Sequence, residues 1–167
     1  MMYSLELANS KELEVCYEII EEGRAFQKEQ GFVQWTEAYP NRDTIEADIE
    51  MKKGYVIKAD KDILGYMCVD FDGEPAYEDI NGAWRSEAPY AVVHRMAFSK
   101  KARGKGIADI AFGLIDKLCV AKGVKYIRVD TDFPNKRMQH ILKKNGYIYC
   151  GVIVFQNGDK LAYDKFL

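Results

Sequence analysis

Hydrophobic and polar residues recur along this chain with two different periods, and these periods predict its strands and helices. Strict alternation over residues 3–8 predicts a strand, whereas Leu13, Cys16, Tyr17 and Ile20 recur at helical spacing opposite glutamates. Apolar runs between turn residues predict the other strands. In chain order the predicted elements are β-α-α-β-β-β-α-β-α-β-β, with strands at 3–8, 55–59, 63–71, 90–98, 124–131, 147–155 and 160–166, and with polar connections at 31–41 and 72–89.

Turn and cap residues mark the ends of these elements. The second helix is predicted to open at Asp43 and to end near Gly54, and Gly123 is predicted to stop the third. Pro134 suits the first turn of the fourth helix. Asn157–Gly158 is a strong signal for the turn of a final hairpin.

The order of elements predicts an α/β fold with a mixed central sheet of about seven strands flanked by about four helices. A chain of 167 residues fits one domain, and neither a linker nor a repeat divides it. With 48% of its residues hydrophobic, the chain can bury a substantial core. We therefore predict one domain spanning residues 1–167.

Charge is segregated along the chain, although the total is only −2. Residues 1–94 hold 9 basic and 20 acidic residues, whereas residues 95–144 hold 13 basic and 4 acidic ones. The cationic stretch suggests an anionic ligand; the alternative is that helices of different sign simply face solvent. The overall charge disfavours a nucleic-acid partner.

Several classes of protein are excluded by the same sequence. No run of about 18 apolar residues is present to span a membrane, and the first residues lack the basic start and apolar run of a signal peptide. The four cysteines are far apart and the chain has only two histidines, so no metal site is predicted. Because each cysteine has apolar neighbours, we predict a reduced, cytoplasmic protein.

The segment Lys100–Ala108 (KKARGKGIA) carries the clearest chemical signal. Gly104 and Gly106 permit a tight turn and the close approach of an anion, and the helix that follows presents free N–H groups. Four cations within Lys100–Lys105 add attraction for phosphate. A P-loop is excluded because lysine should follow its last glycine, whereas Ile107 follows Gly106. A dinucleotide-binding motif fits poorly because its third glycine would fall at position 109, which is Asp109.

Two motifs in this region resemble those of the GNAT superfamily of acyl-CoA N-acetyltransferases. Residues 101–106 (KARGKG) are similar to the family pattern [Q/R]-x-x-G-x-[G/A] between a strand and a helix, with Lys101 in place of glutamine or arginine. About 30 residues later, residues 135–147 are similar to the family's N-x-x-[A/M]-x-x-L-[Y]-x-K-x-G-[F/Y] helix and exit. The order of elements matches this fold over essentially the whole chain, and the local segments resemble a bacterial subgroup of these proteins.

The resemblance implies acetyl-CoA as cosubstrate and a set of residues that hold it. Strand residues near Met96 would present backbone groups to the pantetheine arm, and a bulge in that strand would free them. The segment Arg103–Ala108 would bind the pyrophosphate through main-chain N–H groups, and Asn135 would bind the pantetheine. The implied cofactor-binding residues are Met96, Ala97, Phe98, Lys101, Arg103, Gly104, Lys105, Gly106, Ile107, Ala108, Asn135 and Met138.

The implied reaction is direct attack of a primary amine on the acetyl thioester. Many family members place a tyrosine general acid seven residues after the asparagine, where this chain has Leu142. Tyr147 lies beyond the helix, and His140 is about 200° around the helix from Leu142. His94 is the candidate base, provided no bulge separates its face from that of Met96, and its alternative is a hydrogen-bonded structural histidine.

The acceptor site is predicted in the polar connections at residues 31–41 and 72–89, since aromatic residues in polar loops often line pockets. The candidates are Gln34, Trp35, Tyr39, Tyr77 and Trp84, each of which could equally pack over the sheet edge; Glu37, Glu78, Asp79 and Glu87 would suit a cationic amine. The acceptor is either a small molecule or a peptide. A second reading, favoured by Leu142, is a non-catalytic acyl-CoA sensor. Dimers are common in the family, so a homodimer stays open.

Overall fold

A computed structural model describes residues 2–156 and 158–167, and they form a mixed sheet of eight strands with four α-helices. The helices are α1 (Leu13–Glu29), α2 (Arg42–Glu50), α3 (Ile107–Ala121) and α4 (Lys136–Lys144). The strands are β1 (Tyr3–Leu7), β2 (Gly54–Ala59), β3 (Asp62–Asp70), β4 (Asn81–Gly82), β5 (Ala91–Phe98), β6 (Tyr126–Asp132), β7 (Ile148–Phe155) and β8 (Gly158–Phe166). The predicted α/β class and order of elements are confirmed, with one strand more than expected.

The additional strand, β4, lies in the connection predicted to be irregular. Asn81 and Gly82 pair with Val152 and Gly151 of β7. A Cβ on Gly82 would lie 2.3 Å from the carbonyl oxygen of Cys150, so this pairing requires glycine there. Two residues are too short a stretch for hydrophobic alternation to reveal.

Capping residues show that α2 and α4 begin at residues other than the predicted ones. Asn41 caps α2 by accepting a hydrogen bond from the Thr44 N–H, so α2 begins before Asp43, and it ends at Glu50 rather than near Gly54. Asn135 caps α4, which places Pro134 outside the helix rather than in its first turn. Asn157 of the predicted hairpin turn lies outside the described residues.

The described residues group into two compact units. The first comprises residues up to Val69 together with Arg95–Ile115, and the second comprises Asp70–His94 and Asp116–Leu167. Strand β5 and helix α3 contribute residues to both units. The extent of the single domain predicted over residues 1–167 stays a prediction.

In the first unit β1, β2 and β3 form an antiparallel meander. The end of β5 follows β3 in the sheet, where the Ser99 N–H donates to the Leu64 carbonyl at 2.8 Å. The inner faces of α1 and α2 pack with these strands around buried residues such as Ile20, Ile45 and Val56. This core supports the segment of β5 that precedes the glycine-containing loop.

In the second unit the start of β5 pairs in parallel with β6, with Ala91 opposite Ile127 and Val92 opposite Arg128. Strands β6, β8 and β7 continue antiparallel, and β4 lies on the far edge of β7. The connection of residues 71–90 packs onto these strands through the fully buried Tyr77. A region predicted from its polarity to be a loop is thus fixed by an aromatic core.

Candidate active site

The loop between β5 and α3 combines two glycines in left-handed backbone with the start of a helix. Gly104 has φ +77° and Gly106 has φ +68°, and no heavy atom lies within 4 Å of a Cβ built on either residue. Helix α3 begins at Ile107, so the N–H groups of its first turn face the loop. Open backbone beside a helix N-terminus is an arrangement that binds phosphate.

This loop is tied to α1 by its own basic residues. The Arg103 Nη2 donates to the Glu22 carbonyl oxygen at 2.9 Å, and the guanidinium carbon lies 4.0 Å from the centroid of the Phe26 ring. The Lys100 N–H donates to Glu22 Oε2 at 2.9 Å. Lys101 and Lys105 are exposed. Lys100 is exposed too, so side-chain charge for an anion would come from three lysines, whereas Arg103 holds the loop in place.

Strand β5 is kinked just before it reaches this loop. Arg95 has φ +55°, which interrupts the regular alternation of side chains as a β-bulge does. Ala97 after the kink is buried, and Met96 and Phe98 are half-buried. Because the alternation is interrupted at Arg95, the condition for His94 and Met96 to share a face is not met.

Arg95 belongs to a buried polar cluster that the sequence analysis missed. Its Nε and Nη2 donate to the two carboxylate oxygens of Asp48 at 2.8 and 2.7 Å, and its Nη1 donates to Tyr39 Oη at 2.6 Å. The Tyr66 hydroxyl donates to Asp48 Oδ2 at 2.6 Å. The signal in the sequence was a charged residue inside the apolar run of residues 90–98.

His94, the preceding residue, lies in a cluster of the second unit. Its side chain is 9% exposed, and its Nε2 lies 3.4 Å from Glu74 Oε1. Its ring stacks on Phe155 with centroids 5.5 Å apart. Burial raises the pKa of the nearby Asp130 carboxyl, although His94 and the Tyr77 hydroxyl, which donates to Asp130 Oδ2 at 2.6 Å, oppose the rise. Burial of the Asp130 carboxyl thus favours its protonated form.

Tyr77 and Trp84, two of the acceptor candidates, contact each other in the same unit. Their ring centroids are 5.1 Å apart, and Trp84 Nε1 donates to the Tyr77 carbonyl oxygen at 2.8 Å. The guanidinium of Arg128 lies between the rings of Trp84 and Tyr90, 4.4 and 4.2 Å from their centroids. These contacts give both residues a structural part in fixing residues 71–90.

The other acceptor candidates belong to the first unit. Gln27 Oε1 accepts from the backbone N–H groups of Gln34 and Trp35 at 3.3 and 2.9 Å, which fixes the loop at the end of α1. Trp35 is 8% exposed and packs against Gly23. Gln34 and Tyr39 are half-buried. Their role toward an acceptor stays a prediction.

Comparison with known proteins decides the family of this fold. The model of the acetyltransferase (GNAT) family matches residues 16–147. The chain belongs to the GNAT family of acetyltransferases. Membership makes it an acetyltransferase enzyme and agrees with the resemblance in its motifs.

Solved structures of GNAT proteins share its fold. A GNAT acetyltransferase from Streptococcus agalactiae is 34% identical with a TM-score of 0.88, and the match covers 99% of this chain and 95% of that one. One from Listeria monocytogenes is 19% identical, with a TM-score of 0.78 and coverage of 99% and 95%. AAC(6')-Ib, solved with paromomycin and acetyl-CoA, is 18% identical, with a TM-score of 0.73 and coverage of 99% and 94%. Comparison with curated protein sequences gives no match.

Helix α4 departs from the GNAT pattern in a way that the structure explains. Leu142, at the position where many members carry tyrosine, is 1% exposed and forms part of the core. Tyr147 is also buried, which raises the pKa of its hydroxyl well above the ordinary value. His140 is exposed on the helix. The Oδ1 of Asn135 accepts from the Met138 N–H at 3.1 Å, so these two residues form the start of α4.

Two further features are absent from the described residues of this GNAT chain. Over residues 2–156 and 158–167, no group of three or more histidine, cysteine or acidic side chains is arranged to hold a metal ion. Within those ranges, no helix is long and apolar enough to cross a membrane.

Proposed function

We propose that this chain transfers the acetyl group of acetyl-CoA to a primary amine by direct attack of the amine on the thioester. The observation that carries the proposal is the loop of residues 103–106, where two left-handed glycines with open space above them lead into α3. AAC(6')-Ib, which shares the fold, was solved with acetyl-CoA. Family membership and the loop together favour this donor.

The residues present fit the donor's anionic groups. The main-chain N–H groups of Arg103–Ala108 would bind the pyrophosphate, and the exposed Lys101 and Lys105 would neutralise charge. The backbone of Met96–Phe98 would bind the pantetheine arm beyond the kink. We retain Asn135 and Met138 at the start of α4 as further pantetheine contacts.

We propose His94 as the base of the reaction because of its carboxylate partner Glu74, although the kink at Arg95 separates its strand face from that of Met96. It would take a proton from the ammonium form of the acceptor, and the carboxylate of Glu74, 3.4 Å from its Nε2, would stabilise the imidazolium. The Met96 N–H would donate a hydrogen bond to the thioester oxygen as negative charge develops there. With Leu142 in the tyrosine position, the proton held by His94 is the one we expect to reach the departing thiolate, directly or through water.

The cysteines favour direct attack over a covalent acyl-enzyme. Burial raises the pKa of Cys16 and Cys119 to about 12 and that of Cys150 to about 11, so these thiols are poor nucleophiles at neutral pH. Cys68 is buried. All four cysteines are thiols, which also suits the reducing cytoplasm that we propose as the location.

A cationic amine is the acceptor class that the second unit favours. Glu74 lies 3.4 Å from His94 Nε2 and Asp130 interacts electrostatically with His94, so two carboxyl groups accompany the proposed base. We keep the half-buried Gln34, Tyr39 and Trp84 as proposed acceptor-contacting residues, and for the buried Trp35 and Tyr77 we propose a supporting role. A small polyamine, an aminoglycoside and a peptide amine all have the required charge.

The proposal is tested by incubating the protein with acetyl-CoA and a panel of amines, while thiol release and product masses are followed. We expect thiol release that depends on one class of cationic amine, together with the matching N-acetylated product. Tight binding of CoA with no turnover on any amine would contradict the proposal and favour a sensor.

A further inference from the structure

Arg95 is the one residue among the described strands, glycines apart, whose backbone is left-handed. The other non-glycine residues with positive φ, Lys52, Asp60 and Gln156, lie in turns, whereas Arg95 with φ +55° lies inside β5. A long side chain is disfavoured in this conformation, so the surrounding structure must hold it. Strain of this kind in a strand is a pointer to function.

Each of the three guanidinium nitrogens of Arg95 donates a hydrogen bond to a group of the first unit. Asp48 accepts from Nε and Nη2, and Tyr39 Oη accepts from Nη1. The Arg95 side chain is 12% exposed and that of Asp48 is 4% exposed, so the pair is shielded from water. A bidentate, shielded pair has one geometry and can enforce a backbone conformation.

Asp48 is in turn fixed to the strand that lies beside β5. It faces inward from α2 and accepts a hydrogen bond from the Tyr66 hydroxyl of β3 at 2.6 Å. The residue before Tyr66 is Gly65, whose missing Cβ would lie 3.0 Å from the Ala97 carbonyl oxygen. The cluster of Arg95, Asp48, Tyr39 and Tyr66 therefore fixes the position of β5 immediately before the segment Met96–Phe98.

A purely stabilising role does not require this arrangement. Well-packed apolar residues often replace a buried ion pair at no loss of stability. A regular strand would pack against β3 without a strained residue. What the kink adds is a change in the direction of the peptide groups that follow Arg95.

We propose that Arg95 is a positioning residue for acetyl-CoA: Asp48 and Tyr39 hold it in the left-handed conformation, and the resulting kink aims the peptide groups of Met96–Phe98 at the thioester arm. The inference rests on the proposed function. Arg95 touches neither substrate and acts through the backbone of the residues that follow it.

The variant Arg95→Gly distinguishes a role in positioning the backbone from the role of a buried charge. Arg95→Ala and Arg95→Gly remove the same ion pair, but only glycine adopts φ +55° without strain. We expect the KM for acetyl-CoA and the Kd for CoA to rise about tenfold in Arg95→Ala and about threefold in Arg95→Gly, since small displacements of a binding group are costly. Arg95→Lys, which keeps the charge without the bidentate fork, should fall between wild type and Arg95→Ala.

Arg85→Ala is the matched control, because Arg85 pairs with the buried Asp164 in the second unit at 2.6 Å. It should lose stability in urea much as the Arg95 variants do, while the Kd for CoA stays within twofold of wild type, about the scatter of such constants. Equal KM and Kd values in Arg95→Ala and Arg95→Gly, or wild-type values in Arg95→Ala, would overturn the proposal.

The readouts also separate this inference from the proposed function. If wild type binds CoA but acetylates no amine, the proposed function fails, and the order of the Kd values still decides the role of Arg95. If wild type does not bind CoA, both are overturned.

Discussion

Replacing Gly106 by alanine separates the phosphate-binding role of the loop from the geometry of its turn, because Gly123 offers a matched position. Gly106 has φ +68° and Gly123 has φ +76°, and neither has a heavy atom within 4 Å of a built Cβ. The two glycines lie at opposite ends of α3. Alanine therefore meets the same backbone strain and the same open space at both.

The expected loss of stability is similar for Gly106→Ala and Gly123→Ala. Left-handed backbone costs a residue with a Cβ about 1–2 kcal/mol, and the stiffer unfolded chain returns about 0.4–1 kcal/mol. Each variant should therefore lose about 1 kcal/mol in urea unfolding with an unchanged slope. Only Gly106→Ala places a methyl group where phosphate would approach the backbone.

The assay is the KM for acetyl-CoA, measured beside the urea midpoint. We expect a rise of about tenfold in Gly106→Ala, equivalent to about 1.4 kcal/mol, and no change in Gly123→Ala. If both variants lose stability equally and both keep the wild-type KM, the glycines serve only the turn and the loop is not the phosphate site.

Three further predictions follow from named contacts. His94→Ala should lower kcat while the KM for acetyl-CoA stays near that of wild type, and an unchanged kcat from pH 6 to pH 9, roughly the range of histidine titration, would remove His94 from the mechanism. Gly65→Ala places a Cβ 2.6 Å from Phe98 Cδ1, so we expect folding stability to fall by about 1–3 kcal/mol and the KM for acetyl-CoA to rise. The control variant Gly113→Ala meets no atom within 4 Å and should not destabilise the fold. Equal urea midpoints for the two variants would refute the clash. Burial raises the Asp130 pKa above its ordinary 3.8, so protonation of this carboxyl favours the folded state. The stability of wild type relative to Asp130→Asn should therefore grow as the pH falls toward and below the raised pKa. A stability difference that does not change with pH would contradict this.

The sequence carried most of the fold and the loop because those features are local. Helical periodicity located α1 and α3, and Gly123 ended α3 as predicted, with φ +76°. The spacing of Gly104 and Gly106 between an apolar strand and a helix predicted the open turn. Such signals depend on neighbours in the chain, so a single sequence reveals them.

The parts that sequence could not predict depend on partners far apart in the chain. Arg95 and Asp48 are separated by 47 positions, and no local period links them. The same is true of Tyr77 and Asp130, 53 positions apart, whose bond helps to bury a tyrosine inside a polar connection. Polarity predicted a loop at 72–89, whereas long-range aromatic packing fixes it.

Acetyl-CoA labelled in its acetyl group gives the most direct test of acetyl transfer by this chain. After a single turnover with an accepting amine, mass spectrometry follows the label in the amine and in the intact protein. We expect the label on the amine nitrogen and a protein of unchanged mass. Label retained on a cysteine, or no labelled amine despite bound CoA, would contradict the account.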